Sequence, residues 1–441
     1  MSRNATFARI RLAPQPAAAQ TAHADALNNR YTAVRQATMT LIAGLSAEDC
    51  ALQSMPDASP LKWHLAHTSW FFETFVLEQN VPGYQHFHPQ FRMLFNSYYV
   101  GVGERHPRAE RGLLSRPSLE DIVRYRRHVD ASMQQLMNDV TSMPPSLCEL
   151  IELGLNHEQQ HQELMLTDLK HLLSRNPLKP AYRVTPFVPT NMPAAALQWI
   201  AFSGGLQALG HDGDEFSFDN ELPRHRVFLE NYVLASRLVT NSEYLAFMDD
   251  GGYARPDLWL SEGWDMSQVQ RWQAPLYWEK RDGQWQMFTL SGMEKVDPAA
   301  PVCHVSYFEA DAYARWADAR LPSEAEWEVA AMQADAESNF MEDGTLCPLP
   351  ASATGRLVLQ QLFGDVWEWT HSSYAPYPGY RTAPGAVGEY NGKFMVNQYV
   401  LRGGSFATPR SHIRATYRNF FPATARWQFS GIRLARDTAC A

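Results

Sequence analysis

Five prolines mark a change of texture that constrains this chain more than any other feature. Pro177, Pro180, Pro186, Pro189 and Pro193 punctuate residues 177–196. Proline fixes φ and removes a backbone donor, so neither helix nor sheet runs through such a stretch. Before it, apolar residues recur at helical spacing in four segments, around Tyr31 to Leu45, Ser59 to Glu78, Ser118 to Asp139 and Pro145 to Leu173, which predicts a four-helix bundle. After it, the chain is rich in Gly and Trp. Short β-like pieces such as Arg226 to Leu229 and Tyr399 to Arg402 alternate with short helices such as Tyr307 to Ala319, the pattern of an irregular α+β domain. A length of 441 residues fits two cores. The expected division is a flexible tail over 1–26, where Ala13 to Ala26 is rich in Ala, Gln and Pro without periodicity, a helical bundle over 27–176, a linker over 177–196 and an α+β domain over 197–441.

Composition removes several classes of function. The chain carries 38 Lys and Arg against 47 Asp and Glu, a formal charge of −9, with no long basic run to track phosphates, so nucleic acid is not an expected partner. No stretch reaches the roughly 18 apolar residues needed to cross a bilayer, and the first 24 residues lack the apolar core of a secretion signal, so a cytoplasmic location is expected. Five scattered cysteines without CxxC spacing argue against structural disulfides and against a thiolate zinc site. A metal here would be bound by nitrogen and oxygen. The oligomeric state is not legible.

Such a metal has an obvious candidate site. In Asn156-His157-Glu158-Gln159-Gln160-His161 the helix-favouring neighbours place His157 and His161 about one turn apart on one face, where two neutral imidazoles can chelate a divalent ion. A lone pair of this kind arises readily by chance among 15 histidines, so a third ligand is needed. The amphipathic segment Lys62-Trp63-His64-Leu65-Ala66-His67 can supply it, from His64 or from His67. Glu163 lies about 200° around the helix from His161 and points away. His171 lies ten residues beyond His161, about 15 Å along the axis, and is too distant. Gln160 follows His157 by three residues, where its amide can orient a substrate or simply face water.

Between the second and third helices runs a long connection holding Ser97-Tyr98-Tyr99 and then Arg105-His106-Pro107-Arg108-Ala109-Glu110-Arg111. Connections of this length in compact domains tend to carry function. Tyr98 and Tyr99 can donate a proton or an electron at a metal, or pack a core, and Arg108 and Arg111 can clamp a carboxylate, or face solvent.

Several motifs of the second half resemble the formylglycine-generating-enzyme family, whose fold is related to C-type lectins: Gly210-His211-Asp212, Asn220-Glu221-Leu222-Pro223-Arg224-His225, Arg320-Leu321-Pro322-Ser323-Glu324-Ala325-Glu326-Trp327-Glu328, Gly364-Asp365-Val366-Trp367-Glu368-Trp369, Leu401-Arg402-Gly403-Gly404-Ser405-Phe406 and Gly431-Ile432-Arg433-Leu434-Ala435-Arg436. Trp327, Trp367 and Trp369 are expected in the core, with Glu and Arg side chains tying the loops together. That family's paired active-site cysteines are missing near Ser411 to Arg418, so the fold is expected without the parent chemistry.

A metal-binding bundle of the DinB type ahead of such a domain is similar to the sulfoxide synthases of ergothioneine biosynthesis, and the resemblance runs from about Leu27 to Asp437. It implies a non-haem iron(II) held by His67, His157 and His161, selecting His67 over His64. It further implies that O2 is the co-substrate and that a thiol sulfur is joined to C2 of the imidazole of hercynine, leaving a sulfoxide. Carried over residue by residue, Gln160 would bond the hercynine imidazole, Asn419 would meet its carboxylate region, Phe420 would face its trimethylammonium group, and Tyr98 or Tyr99 would serve as donor. Arg108 and Arg111 fall where some members bind the carboxylates of γ-glutamylcysteine. Phe421 stands where those members have an Asp, which points to free cysteine as the sulfur donor. A related branch takes a selenosugar to make selenoneine, a zinc-dependent thiol transferase would use the same three imidazoles without O2, and a non-enzymatic binding protein would need no metal at all.

Overall fold

The structure is a computed structural model that describes residues 17–139, 143–184, 195–334, 339–352, 358–383 and 385–438. Four long helices form the first half: α1 (Ala17–Leu41), α2 (Leu61–Phe71), α3 (Leu119–Asp139) and α4 (Pro145–Arg175). The backbone of α1 is helical from Ala17, inside the segment expected to be tail. Its Ala and Gln residues are strong helix formers, and that propensity outweighs the missing apolar period. Residues 1–16 of the expected tail and 185–194 of the linker lie outside the described residues.

Local chemistry accounts for the helix ends. The Ser118 hydroxyl accepts from Asp121 N, and the Asp121 carboxylate accepts from Ser118 N, closing the start of α3. Pro stands in the first turn of α4 and Arg175 in its last, both favourable positions. Every residue of α2 is buried, as a helix lying inside a bundle requires. It continues into a π-helical turn, Phe72–Leu77. Deep in the bundle, the Glu158 carboxylate of α4 takes Arg35 of α1 at 2.8 Å, the Thr38 hydroxyl at 2.6 Å and Arg126 of α3.

In the second half, strand Tyr232–Ala235 pairs antiparallel with both Trp199–Phe202 and Ala435–Asp437, so the two ends of this part of the chain meet on one strand. A four-stranded sheet runs in the order Asn419–Phe421, Tyr399–Arg402, Trp367–Ser373, Ser430–Gly431. Helices Asn241–Asp249, Tyr307–Trp316 and Glu324–Ala331 each begin with a capping box, from Thr240 and Glu243, Ser306 and Glu309, and Ser323 and Glu326. Buried ion pairs stand in for long ladders: Arg402 with Glu328 at 2.9 Å, Arg433 with Glu368 at 2.8 Å and Arg426 with Glu309 at 2.7 Å. Trp327 and Trp369 are fully buried among them.

Helix α4 joins the halves. Its Glu163 accepts from Trp367 Nε1 at 2.7 Å, the Ser405 hydroxyl at 2.5 Å and the Thr408 hydroxyl at 2.7 Å. Gln159 donates to the Ser411 hydroxyl at 2.7 Å, and the Lys170 ammonium lies 2.6 Å from His304 Nε2. Glu163 thus leaves the face of His157 and His161 and fastens the second domain. Among the described residues, no helix is long and apolar enough to cross a membrane.

Candidate metal centre

A missing side chain lets α2 and α4 approach. A Cβ at Gly154 would lie 2.6 Å from Phe72 Cε1 and 2.9 Å from Phe71 Cε1, so only glycine admits the two rings. One turn on, α4 presents His157 and His161, and α2 presents His67, one turn before Phe71. Ligand atoms of these three buried histidines lie within 4.8 Å of one another, the single such grouping of His, Cys, Asp and Glu among the described residues.

The outward ring nitrogens fix which atoms face inward. His67 Nδ1 lies 2.7 Å from the Phe95 carbonyl, which can only accept, so Nδ1 carries the proton and Nε2 is left free. That Nε2 is 3.2 Å from His157 Nε2. His161 Nδ1 is engaged 2.8 Å from His64 Nδ1, leaving its Nε2. Two imidazole nitrogens bound at right angles to one ion at about 2.1 Å each stand roughly 3.0 Å apart, so the pair fits around a first-row divalent ion. Among the described residues, His157 Nδ1 is buried without a hydrogen-bond partner. The His67 ring is held between Trp63, with centroids 4.6 Å apart and planes 13° apart, and Trp70, at 5.5 Å and 15°. Burial, and then the neighbouring His157, pushes His67 and His161 well below the usual imidazole range, and burial lowers His157 to about 4. All three are neutral near pH 7, the form that ligates.

Spacing left His64 and His67 open. The structure puts His67 in the triad and His64 behind His161, with His64 Nε2 3.0 Å from Asp168. His171 is elsewhere, on the Ser54 hydroxyl at 2.7 Å.

A cavity of about 360 Å³ lies between the halves and reaches His64 and His161. Tyr98, Arg108, Arg111, Gln160, Asn419, Phe420 and Phe421 all line it. The Gln160 amide donates to the Tyr417 hydroxyl at 2.7 Å and accepts from the Tyr390 hydroxyl at 2.8 Å, so it is clamped from the opposite domain. Phe420 stacks on Tyr374 with centroids 4.1 Å apart, and the Asn419 side-chain oxygen caps its own strand at Phe420 N. Tyr99 is 2% exposed and packs on Trp70 and Phe75, behind Tyr98, whose hydroxyl donates to it at 3.3 Å. Burial raises both phenols. The Arg111 guanidinium is buried 3.4 Å above the Trp63 ring and donates to the Ser59 and Ser97 hydroxyls. Burial and then Arg108 push it down to about 9, against a smaller opposing pull from Asp168, and among the described residues no carboxylate is in ion-pair contact with it. Arg108 is more exposed and reaches the Asp57 carbonyl.

Trp367 is buried as expected, yet its indole also lines the cavity and binds Glu163. Sequence reasoning missed Asp168, Tyr390, Tyr417 and the Trp63 and Trp70 sandwich. Asp168 had a signal, since it follows His161 by seven residues and so shares its face. Tyr390 had none, lying 230 residues from Gln160.

The comparisons with known proteins define the class first. Residues 30–165 match the DinB superfamily, and residues 188–356 and 346–438 match the sulfatase-modifying factor enzyme 1-like domain. The chain is therefore an α+β, two-domain protein with a DinB helical part and a sulfatase-modifying-factor part. It is 32% identical to hercynine oxygenase of Mycolicibacterium smegmatis over 94% of this chain and 99% of that protein, and 33% identical to hercynine oxygenase of Mycobacterium tuberculosis over 91% and 96%. Formylglycine-generating enzyme of Thermomonospora curvata is 27% identical over 54% of this chain and 93% of its own length. The chain belongs to the hercynine oxygenase family and is an enzyme, an oxidoreductase.

Proposed function

We propose that this enzyme joins the sulfur of cysteine to C2 of the hercynine imidazole and leaves the sulfur as a sulfoxide. The balance closes with one O2: the C2–H and S–H bonds are lost, the C–S and S–O bonds are gained, and the second oxygen leaves as water. The carrying observation is three clustered imidazoles, each with an inward nitrogen, one of which, His161, lines a cavity walled by aromatic rings and the Arg111 guanidinium. His67, His157 and His161 would hold ferrous iron, which when bound supplies redox chemistry toward O2 and vacant positions for both reactants. Oxygen as ligand partner and iron as metal are proposals on this donor set.

The chain's own residues would orient and protonate. Gln160, held rigid by Tyr390 and Tyr417, would bond the hercynine imidazole. Phe420 would present an aromatic face to the trimethylammonium group and Asn419 an amide to the carboxylate. Arg111, with Arg108 at the mouth, would take the carboxylate of the thiol, relieving its own uncompensated charge. Phe421 offers no counter-charge to the remote α-ammonium of a γ-glutamyl group, which favours cysteine over γ-glutamylcysteine. Tyr98 would exchange a proton at the cavity wall, backed by the Tyr99 hydroxyl.

The test is anaerobic loading with Fe(II), then hercynine, O2 and cysteine, γ-glutamylcysteine or a selenosugar in parallel, read by mass spectrometry and oxygen uptake. A hercynyl cysteine sulfoxide is expected. No adduct from metal-loaded protein with any donor would refute the reading, and a strong preference for another donor would refute the use of Phe421. Substitution of His67, His157 or His161 should abolish metal binding.

A further inference from the structure

Behind the triad runs a hydrogen-bonded chain that ends at the cavity wall. We infer that His64 and Asp168 are positioning residues that lock His161 into the tautomer with its proton on Nδ1, so that Nε2 always faces the metal. The inference rests on His161 being a ligand and extends that reading to residues outside the ligand set.

The direction of every hydrogen bond follows from one fixed donor. Asp168 Oδ2 accepts from the backbone N–H of Ser59 at 2.8 Å, so this oxygen is an acceptor. His64 Nε2, 3.0 Å from the same oxygen, must carry its proton. In a neutral ring His64 Nδ1 is then the acceptor, and the nitrogen 2.8 Å away, His161 Nδ1, must donate. The result is a free lone pair on His161 Nε2. His64, Asp168 and His161 are 2%, 5% and 8% exposed, so water competes little for these bonds. The chain is anchored at its far end too, because the Ser59 hydroxyl accepts from buried Arg111 at 2.9 Å. His67 reaches the same polarity more simply, through a backbone carbonyl. The seven-residue offset of Asp168 from His161 and the three-residue offset of His64 from His67 place the relay on the faces that carry the ligands.

The test measures metal affinity and ring tautomer rather than turnover. Co(II) is titrated into metal-free protein by absorption, and the imidazole ¹⁵N shifts of the metal-free protein report which His161 nitrogen holds the proton. D168L removes the acceptor at similar size, and H64F removes both ring nitrogens. Each should weaken Co(II) binding about 10- to 100-fold. D168N keeps an oxygen for Ser59 N and His64, and H64N keeps an acceptor near the position of His64 Nδ1, so both should stay close to wild type in affinity and tautomer. Thermal melts of the metal-free proteins separate folding from positioning. Wild-type affinity in folded D168L and H64F, or a His161 proton on Nε2 in the wild type, would overturn the relay. If D168L and H64F fail to fold, loss of affinity in folded D168N and H64N equal to that of folded H161A overturns it, and retention supports it. Wild-type protein that binds no Co(II) would overturn the ligand assignment itself, and the relay with it.

Discussion

Gly154→Ala tests how tightly the metal site depends on the approach of two helices. The added Cβ would lie 2.6 Å from Phe72 Cε1 and 2.9 Å from Phe71 Cε1. Carbon atoms in contact need about 3.5 Å, so α2 must retreat from α4 by roughly 1 Å. Overpacking of this kind costs ~1–3 kcal/mol, and replacing a mid-helix glycine by alanine returns about 1 kcal/mol, for a net loss of ~0–2 kcal/mol. The fold should survive with a melting temperature a few degrees lower. The metal site should suffer more, because Phe71 sits one turn from His67 and its ring packs on His157 with centroids 5.0 Å apart. A 1 Å displacement of a reacting group costs ~10²-fold in rate. The assay pairs a thermal melt with a Co(II) titration and sulfoxide formation. A variant more stable than wild type, with unchanged metal affinity, would show that the helix spacing is not what holds His67 against His157.

Three further outcomes follow from particular contacts. Arg126 and Arg35 outweigh the effect of burial and hold the Glu158 carboxyl down to about 2, from an ordinary 4.5. A folded-state value below the unfolded one means stability that is present above about pH 4.5 and lost as pH falls toward 2, worth ~3 kcal/mol over that window. E158Q should flatten that loss in acid melts while costing ~3–5 kcal/mol at neutral pH, since among the described residues it leaves buried Arg126 with no carboxylate in ion-pair contact and Arg35 with Asp130 alone. R111M should raise KM for the thiol at least tenfold, with little change in KM for hercynine, as steady-state kinetics with each substrate varied would show. F421D should shift the kcat/KM ratio toward γ-glutamylcysteine over cysteine, and an unchanged ratio would remove Phe421 as a determinant.

The bundle and the ligand pair were legible because helices obey a local period. His157, Gln160 and His161 share a face whatever else the chain does, and four segments with that period have few ways to bury their apolar stripes. Helix α1 begins ahead of the apolar period, at Ala17, because the Ala-rich residues 17–26 form helix by propensity without an apolar stripe. Motifs of the second half announced a family, and part of their physical content is now plain: Ser323 and Glu326 close a capping box, and Arg402 and Arg433 neutralise buried Glu328 and Glu368.

Local pattern alone therefore established the two-domain α+β character, the imidazole pair and a short choice of third ligands. Spacing left His64 and His67 open and the family resemblance selected His67, but only tertiary structure showed that His64 stands behind His161, that Tyr98 rather than Tyr99 meets the cavity, and that Tyr390 and Tyr417 grip Gln160 from more than two hundred residues away. Periodicity says which side of a helix a residue occupies. Which nitrogen, hydroxyl or ring it then meets is set by how separate elements pack, and that depends on contacts such as the bare Cα of Gly154 against Phe72, which no spacing along the chain encodes.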